Sequence, residues 1–128
     1  MGSSPCQANE RKPMTELIHI DTLQMPFDQD TRFPTIGVQL LLGRATNSTL
    51  SVAIARVAPN GEIARHVHVV ETETAYVLRG VGVFVTDDQT YPFHAGVFVT
   101  IPPGLAHSVK NTGTDNLEIL AVHTPPTR

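Results

Sequence analysis

The stretch GEIARHVHVVETETAYVLRG, residues 61–80, decides the reading of this chain. His66 and His68 stand two apart in a strand-like run, Ile63–His68, that shows no helical period. On an extended strand residues two apart share a face, so both imidazoles project to one side. That spacing offers two neutral nitrogen ligands to a single divalent ion. A short turn over Val69–Thr72 separates this run from the next, which opens at Glu73 and can bring a carboxylate to the same face. Glu71 is an equal rival by residue type alone. His107 lies far along the chain, but it follows the rigid Pro102-Pro103-Gly104 turn, which can set its approach. Three imidazoles and one carboxylate suit first-row divalent ions and leave coordination positions open.

Around this stretch the chain reads as many short strands. Apolar, largely β-branched runs fall at Leu17–Ile20, Ile36–Leu42, Thr49–Val57, Thr74–Leu78, Val81–Thr86, Val97–Ile101, His107–Lys110 and Leu117–Val122. Turn signals such as Pro59-Asn60-Gly61, Asp87-Asp88 and Asn111-Thr112-Gly113 punctuate them. No window sustains apolar residues at helical spacing for three turns, so the fold class predicted is all-β, with little helix. Leu40-Leu41-Leu42 and Val81–Val85 are apolar on both parities, which calls for a second covering layer. With no helices to supply it, a second copy of the chain is the expected cover, and a homodimer the expected assembly.

Composition narrows the class of function. The chain has 128 residues, one domain's worth, with 41% apolar and 16% charged residues, ten Pro and nine Gly. A net charge of −3 leaves no electrostatic footprint for nucleic acid, and no polybasic run suits an anionic membrane. Cys6 is the single cysteine, so no internal disulfide forms. Residues 1–15 are polar and without period, and are expected to form a flexible tail ahead of one barrel domain over 16–128. They hold no apolar leader segment, and no run approaches the ~20 residues of a spanning helix. A cytoplasmic protein acting on a small molecule is the expectation.

Two spaced patterns carry a family resemblance. Gly61-(x)4-His66-x-His68-(x)4-Glu73-(x)6-Gly80 resembles the first motif of the cupin superfamily. Gly96-(x)5-Pro102-x-Gly104-(x)2-His107-(x)3-Asn111 resembles the second at every position. One departure stands in the first motif, where four residues rather than five separate the leading glycine from the histidine. It shortens a turn and touches no ligand. The resemblance implies a double-stranded β-helix, a jelly-roll barrel with one divalent metal ion (Fe, Mn, Ni, Zn or Cu) in its mouth. It carries the metal ligands onto His66, His68, Glu73 and His107, and it favours Glu73 over Glu71, because only Glu73 stands at the motif spacing from Gly80. Gly80, Gly96, Pro102, Gly104 and Asn111 take structural roles in bends and turns, Asn111 through its side chain.

By alternation Ala75, Val77 and Val109 face inward and line the pocket, while Arg65 and Tyr76 face out. Arg56 and Arg79 read as solvated strand ends, His94 as a turn residue, and His19 and His123 as exposed or at a subunit contact. The function expected is a metal-dependent enzyme on a small organic substrate, dioxygenase-like, in which Glu73 can also serve as a catalytic base. The same site also suits a lyase or isomerase, or a binding module without turnover. A polar group inside the pocket beyond the ligands is what separates catalysis from storage, and parity supplies almost none. No helix-turn-helix pattern is present, which argues against a transcriptional sensor.

Overall fold

The computed structural model describes residues 16–128; the tail expected over 1–15 lies outside them. A short 3-10 turn at Thr22–Gln24, capped by the Asp21 carboxylate accepting from the Leu23 N–H, precedes ten strands. These are β1 (Asp28–Gln29), β2 (Ile36–Leu42), β3 (Ser51–Val57), β4 (Glu62–His66) and β5 (Thr72–Arg79). They are followed by β6 (Val81–Thr86), β7 (Thr90–His94), β8 (Phe98–Ile101), β9 (His107–Asn111) and β10 (Leu117–Thr124). A six-stranded sheet runs β1-β2-β3-β10-β5-β8, and a four-stranded sheet runs β4-β9-β6-β7, with every pairing antiparallel. Strands distant in sequence therefore become neighbours, and the two sheets form the jelly-roll barrel of a double-stranded β-helix.

The period of two sorts each strand into an inner and an outer face. Val57, Val77 and Leu117 are fully buried, and Ile36, Val38, Ala75, Phe84, Phe93 and Ile119 join them between the sheets. Where a strand must turn sharply, backbone freedom decides. Gly80 joins β5 to β6 at φ +98°, and a Cβ there would sit 2.6 Å from the Asn116 carbonyl oxygen. Both the left-handed backbone and the contact exclude a side chain. Gly96 and Gly104 also have positive φ, in the turns before β8 and β9. Asn111 is buried, its amide donating to the Val57 and Asp115 carbonyls while its carbonyl accepts from the Gly113 N–H.

Three features differ from the sequence reading. Tyr91-Pro92-Phe93 lies within a true strand, β7, which the proline disguised as a connection. Proline removes a ladder donor, and β7 tolerates it because it is the edge of its sheet. Leu17–Ile20 forms no strand. Part of the outer face that seemed to need a second copy is covered by the chain itself. Gln39, only 2% exposed, donates to the carbonyls of Thr22 and Met25, and Arg56 lies 3.7 Å over the Phe27 ring. The segment before β1 is thereby held across the outer side of β2 and β3, burying Ile54. Periodicity cannot reveal such a cover, because the segment carries no period of its own.

Candidate metal centre

Two cross-strand pairs, one from each sheet, build the site. In the four-stranded sheet His66 on β4 is registered opposite His107 on β9. In the six-stranded sheet Glu73 on β5 is registered opposite His123 on β10. Directly opposed residues project to the same face at close range, so each pair arrives as a unit, and His68, in the loop after β4, completes the group. The donor atoms of His66, His68, Glu73 and His107 all lie within 4.8 Å of one another. Glu71 is outside that group.

The backbone sets the imidazole orientations. The Ala64 carbonyl accepts from His66 Nδ1 at 2.7 Å, and the Leu105 carbonyl accepts from His107 Nδ1 at 2.9 Å. With Nδ1 carrying the proton, each Nε2 keeps its lone pair, as a metal ligand must. His107 is 2% exposed and stacks on Phe84, with ring centres 5.5 Å apart and planes 10° apart. The turn after β8 reaches the site through its backbone, where the Gly104 N–H donates to the His68 carbonyl at 2.8 Å.

Electrostatically the centre is frustrated without a cation. Glu73 Oε1 lies 3.2 Å from His68 Nε2, 3.4 Å from His107 Nε2 and 3.3 Å from His123 Nε2. All three nitrogens are buried, and none is aligned to hydrogen-bond with a partner. A buried polar atom left unpaired costs about 1–3 kcal/mol, so the two on His68 and His107, beside one carboxylate and within the group of four donors, mark a place built for another positive centre. Burial opposes the charge on Glu73, yet His107, His123 and His68 hold its carboxyl far below the usual carboxylate range. Burial is also the largest influence on His66 and pushes it below its ordinary value, despite the Ala64 carbonyl. For His107 burial acts in the same direction, but Glu73 and the Leu105 carbonyl outweigh it and favour the charged ring. The donor set, the imidazoles anchored through Nδ1 and the buried Nε2 atoms of His68 and His107 fit a divalent ion held by His66, His68, Glu73 and His107.

A cavity of about 70 Å³ adjoins the four residues. Its walls are mainly apolar, with Ala53, Ala55, Ala75 and Ala121 on one sheet and Val109 and Phe84 on the other. Ala75 and Val109 are among its lining residues, whereas Val77, also facing inward, lies two residues, roughly 6.7 Å, further along β5 and packs in the core without lining the cavity. Arg65 pairs with Asp87 on the surface, Tyr76 is exposed, and His94 is exposed at the end of β7.

Two groups of cavity residues escaped the sequence reading. His123, read as exposed or at a subunit contact, is 12% exposed and lines the cavity, its ring edge-on to His68 at 4.8 Å. The signal available was its place at the end of the Leu117–Val122 run, with inward parity shared with Ile119 and Ala121. The rim is the second group. Asp30, Arg32 and Phe33 from the β1–β2 connection meet Thr127 and Arg128 from beyond β10. Asp30 has a side chain 1% exposed, accepts from the Arg32 and Phe33 N–H groups at 2.8 and 3.0 Å, and pairs with Arg128 Nη2 at 3.2 Å.

Burial by itself would raise the Asp30 carboxyl, but the two N–H groups and Arg128 hold it below its ordinary value. Because the folded value is the lower one, this stabilisation is complete above about pH 4 and lost as pH falls through the folded value. Asp30→Ala should cost about 2–3 kcal/mol at neutral pH. In denaturant titrations the gap from wild type should close as pH falls below about 4. A gap independent of pH would assign the loss to packing instead.

With that geometry established, comparison places the chain. Residues 53–123 match the cupin domain family, so this protein is a cupin. It is 36% identical over 76 residues to an oxalate-binding protein of Thermotoga maritima, covering 59% of this chain and 63% of that one. A second relative, an uncharacterised protein of Methanocaldococcus jannaschii, is 32% identical over 76 residues, covering 59% of this chain and 61% of its own. The alignments thus span somewhat less than two-thirds of these curated relatives. Among solved structures, a predicted oxalate decarboxylase from Thermotoga maritima superposes with a TM-score of 0.76 at 26% identity, covering 84% of this chain and 98% of that one. A polyketide cyclase from Streptomyces resistomycificus superposes with a TM-score of 0.77 at 18% identity, covering 85% and 80%, and shows the shared fold alone.

Proposed function

We propose that this cupin holds one divalent metal ion on His66, His68, Glu73 and His107 and uses it to take up a small chelating carboxylate, of which oxalate is the nearest example. The observation that carries the reading is the convergence of buried, unpaired imidazole nitrogens on Glu73 Oε1 beside a small cavity. The ion would supply Lewis-acid binding of substrate oxygens in its open positions. The chain supplies the rest: two backbone carbonyls orient the imidazole rings, Phe84 holds the His107 plane, and alanine side chains make the walls apolar. A cavity of about 70 Å³ beside the four donors suits a small ligand. The oxalate-binding relative and the structural neighbour described as a decarboxylase support a carboxylate.

Dioxygenase-like chemistry on a chelating acid that carries an oxidisable carbon, with Glu73 able to serve as a base, is the catalytic form of the proposal, and a lyase or isomerase reaction at the same site is its second form. Binding without turnover is its alternative, favoured by the apolar walls. A homodimer is also proposed, through the outer face of β5 and β8, where the opposed pair Tyr76 and Phe98 and nearby Leu78 remain exposed. Low cysteine content suits a reducing compartment, and the cytoplasm is the proposed setting. No helix among the described residues is long and apolar enough to cross a membrane.

The test is elemental analysis of natively purified protein, followed by calorimetry with oxalate before and after chelation. About one ion per chain is expected from the single ligand set, with oxalate heat abolished by chelator and restored by Mn(II). Oxygen uptake after Fe(II) loading, with a panel of small chelating acids, separates oxygen-dependent turnover from a lyase, an isomerase or binding alone. A chain that takes up no ion on reconstitution overturns the reading.

A further inference from the structure

Resting on the metal-dependent carboxylate reading above, we infer that His123 is the pocket's ligand-contacting residue, a polar group that bonds the bound carboxylate rather than the metal ion. The four residues whose donor atoms gather within 4.8 Å do not include His123. It nevertheless reaches the same cavity from the opposite partner strand of Glu73, with Ser51 registered on its other side in β3. Both flanking strands are paired along their length, so the imidazole is held on a rigid scaffold.

The chemistry of the cavity leaves this role to His123. Its neighbours along β10 are Ala121 and Ile119, and those across the cavity are Val109 and Phe84, none of which can bond an oxygen. His68 and His107 also carry orphaned Nε2 atoms, but those lone pairs belong to the proposed ion. His123 Nε2 is the third buried nitrogen without an aligned partner, and Glu73, 3.3 Å away, does not lie in line with it. Buried polar groups in native proteins are almost always satisfied, so an unpaired one inside a binding cavity is completed by what binds there. A carboxylate in this cavity would present acceptor oxygens to a neighbouring N–H, and a neutral imidazole carries one such donor. The other polar lining groups do not substitute, because Arg32 is exposed, Arg128 is engaged by Asp30 and the Thr127 hydroxyl stands 3.3 Å from Ser51 Oγ.

The experiment uses the full chain loaded with Mn(II) and compares wild type, His123→Ala and His123→Asn by calorimetry with oxalate, with Mn(II) affinity measured separately. Thermal melts confirm that each variant is folded. His123→Ala is expected to keep Mn(II) affinity within about threefold, because none of the four metal donors is lost, and to weaken oxalate about tenfold or more. His123→Asn, which keeps a side-chain N–H, should recover part of that loss. A merely structural residue would not separate the two affinities or respond to the amide. Equal oxalate affinity in wild type and His123→Ala overturns the inference while leaving the metal reading intact. A fall in Mn(II) affinity as large as that from His66→Ala overturns it too, by making His123 a ligand. If loaded wild type takes no oxalate, the carboxylate reading falls and the inference falls with it.

Discussion

His66→Ala is expected to lower affinity for a divalent ion by more than about 100-fold, since even changes to groups behind the ligands cost 10–100-fold. His66 is one of four donors, and its Nε2 is presented by the hydrogen bond from Nδ1 to the Ala64 carbonyl. Alanine removes the donor and leaves three residues that cannot enclose the charge as well. The fold should hardly notice. His66 is only partly buried, near the open end of the barrel, and its ring contacts are with Phe33 and the other site histidines. Compared in the metal-free state, the two proteins should differ by no more than about 1 kcal/mol. A competition titration against a chelating dye reads the first quantity and thermal melts in chelator read the second. Equal ion retention by the variant and wild type would remove His66 from the ligand set.

Phe93→Ala should produce the largest loss of stability, about 3–5 kcal/mol. Phe93 is 1% exposed and is among the largest fully buried side chains. It lies on edge strand β7, so its ring is what ties that strand to the interior. Against a total stability of about 5–15 kcal/mol such a loss is large, and it corresponds to roughly 10–20 °C in Tm for a domain of this size. The effect should also reach the metal centre. Phe93 packs against Phe84 with ring centres 5.4 Å apart, and Phe84 stacks on His107. Removing the first ring frees the second to tilt, so ion affinity should fall in the folded variant, though by less than in His66→Ala. A Tm within a few degrees of wild type would show that β7 is held by its backbone ladder rather than by this side chain.

What was legible in the sequence is what local rules encode. Alternation in Ile36–Leu42, Val81–Thr86 and Leu117–Val122 marked strands because a half-buried strand must expose and bury residues in turn. The spacing of His66, His68 and Glu73, together with the glycine and proline positions around His107, identified a cupin. Alternation likewise turned Ala75 and Val109 inward. It could not say how deep each inward residue lies, which is why Val77 belongs to the core and not the cavity. Pro92 hid β7, because its tolerance depends on the strand being at an edge, and edges exist only once the sheet is assembled.

Only the tertiary structure decided the rest. His123 enters the site because β10 pairs with β5, its register opposing His123 to Glu73 across fifty residues of chain. Asp30, Arg32 and Arg128 form the rim because two segments nearly a hundred residues apart in sequence meet there. Part of the outer face of β2 and β3 is covered because Gln39 bonds to backbone carbonyls of an aperiodic segment. In each case the partner lies far away in sequence, and nothing in the spacing of neighbours announces it. Short-range chemistry determined which residues could bind a metal; the pairing of distant strands determined which other groups share its cavity.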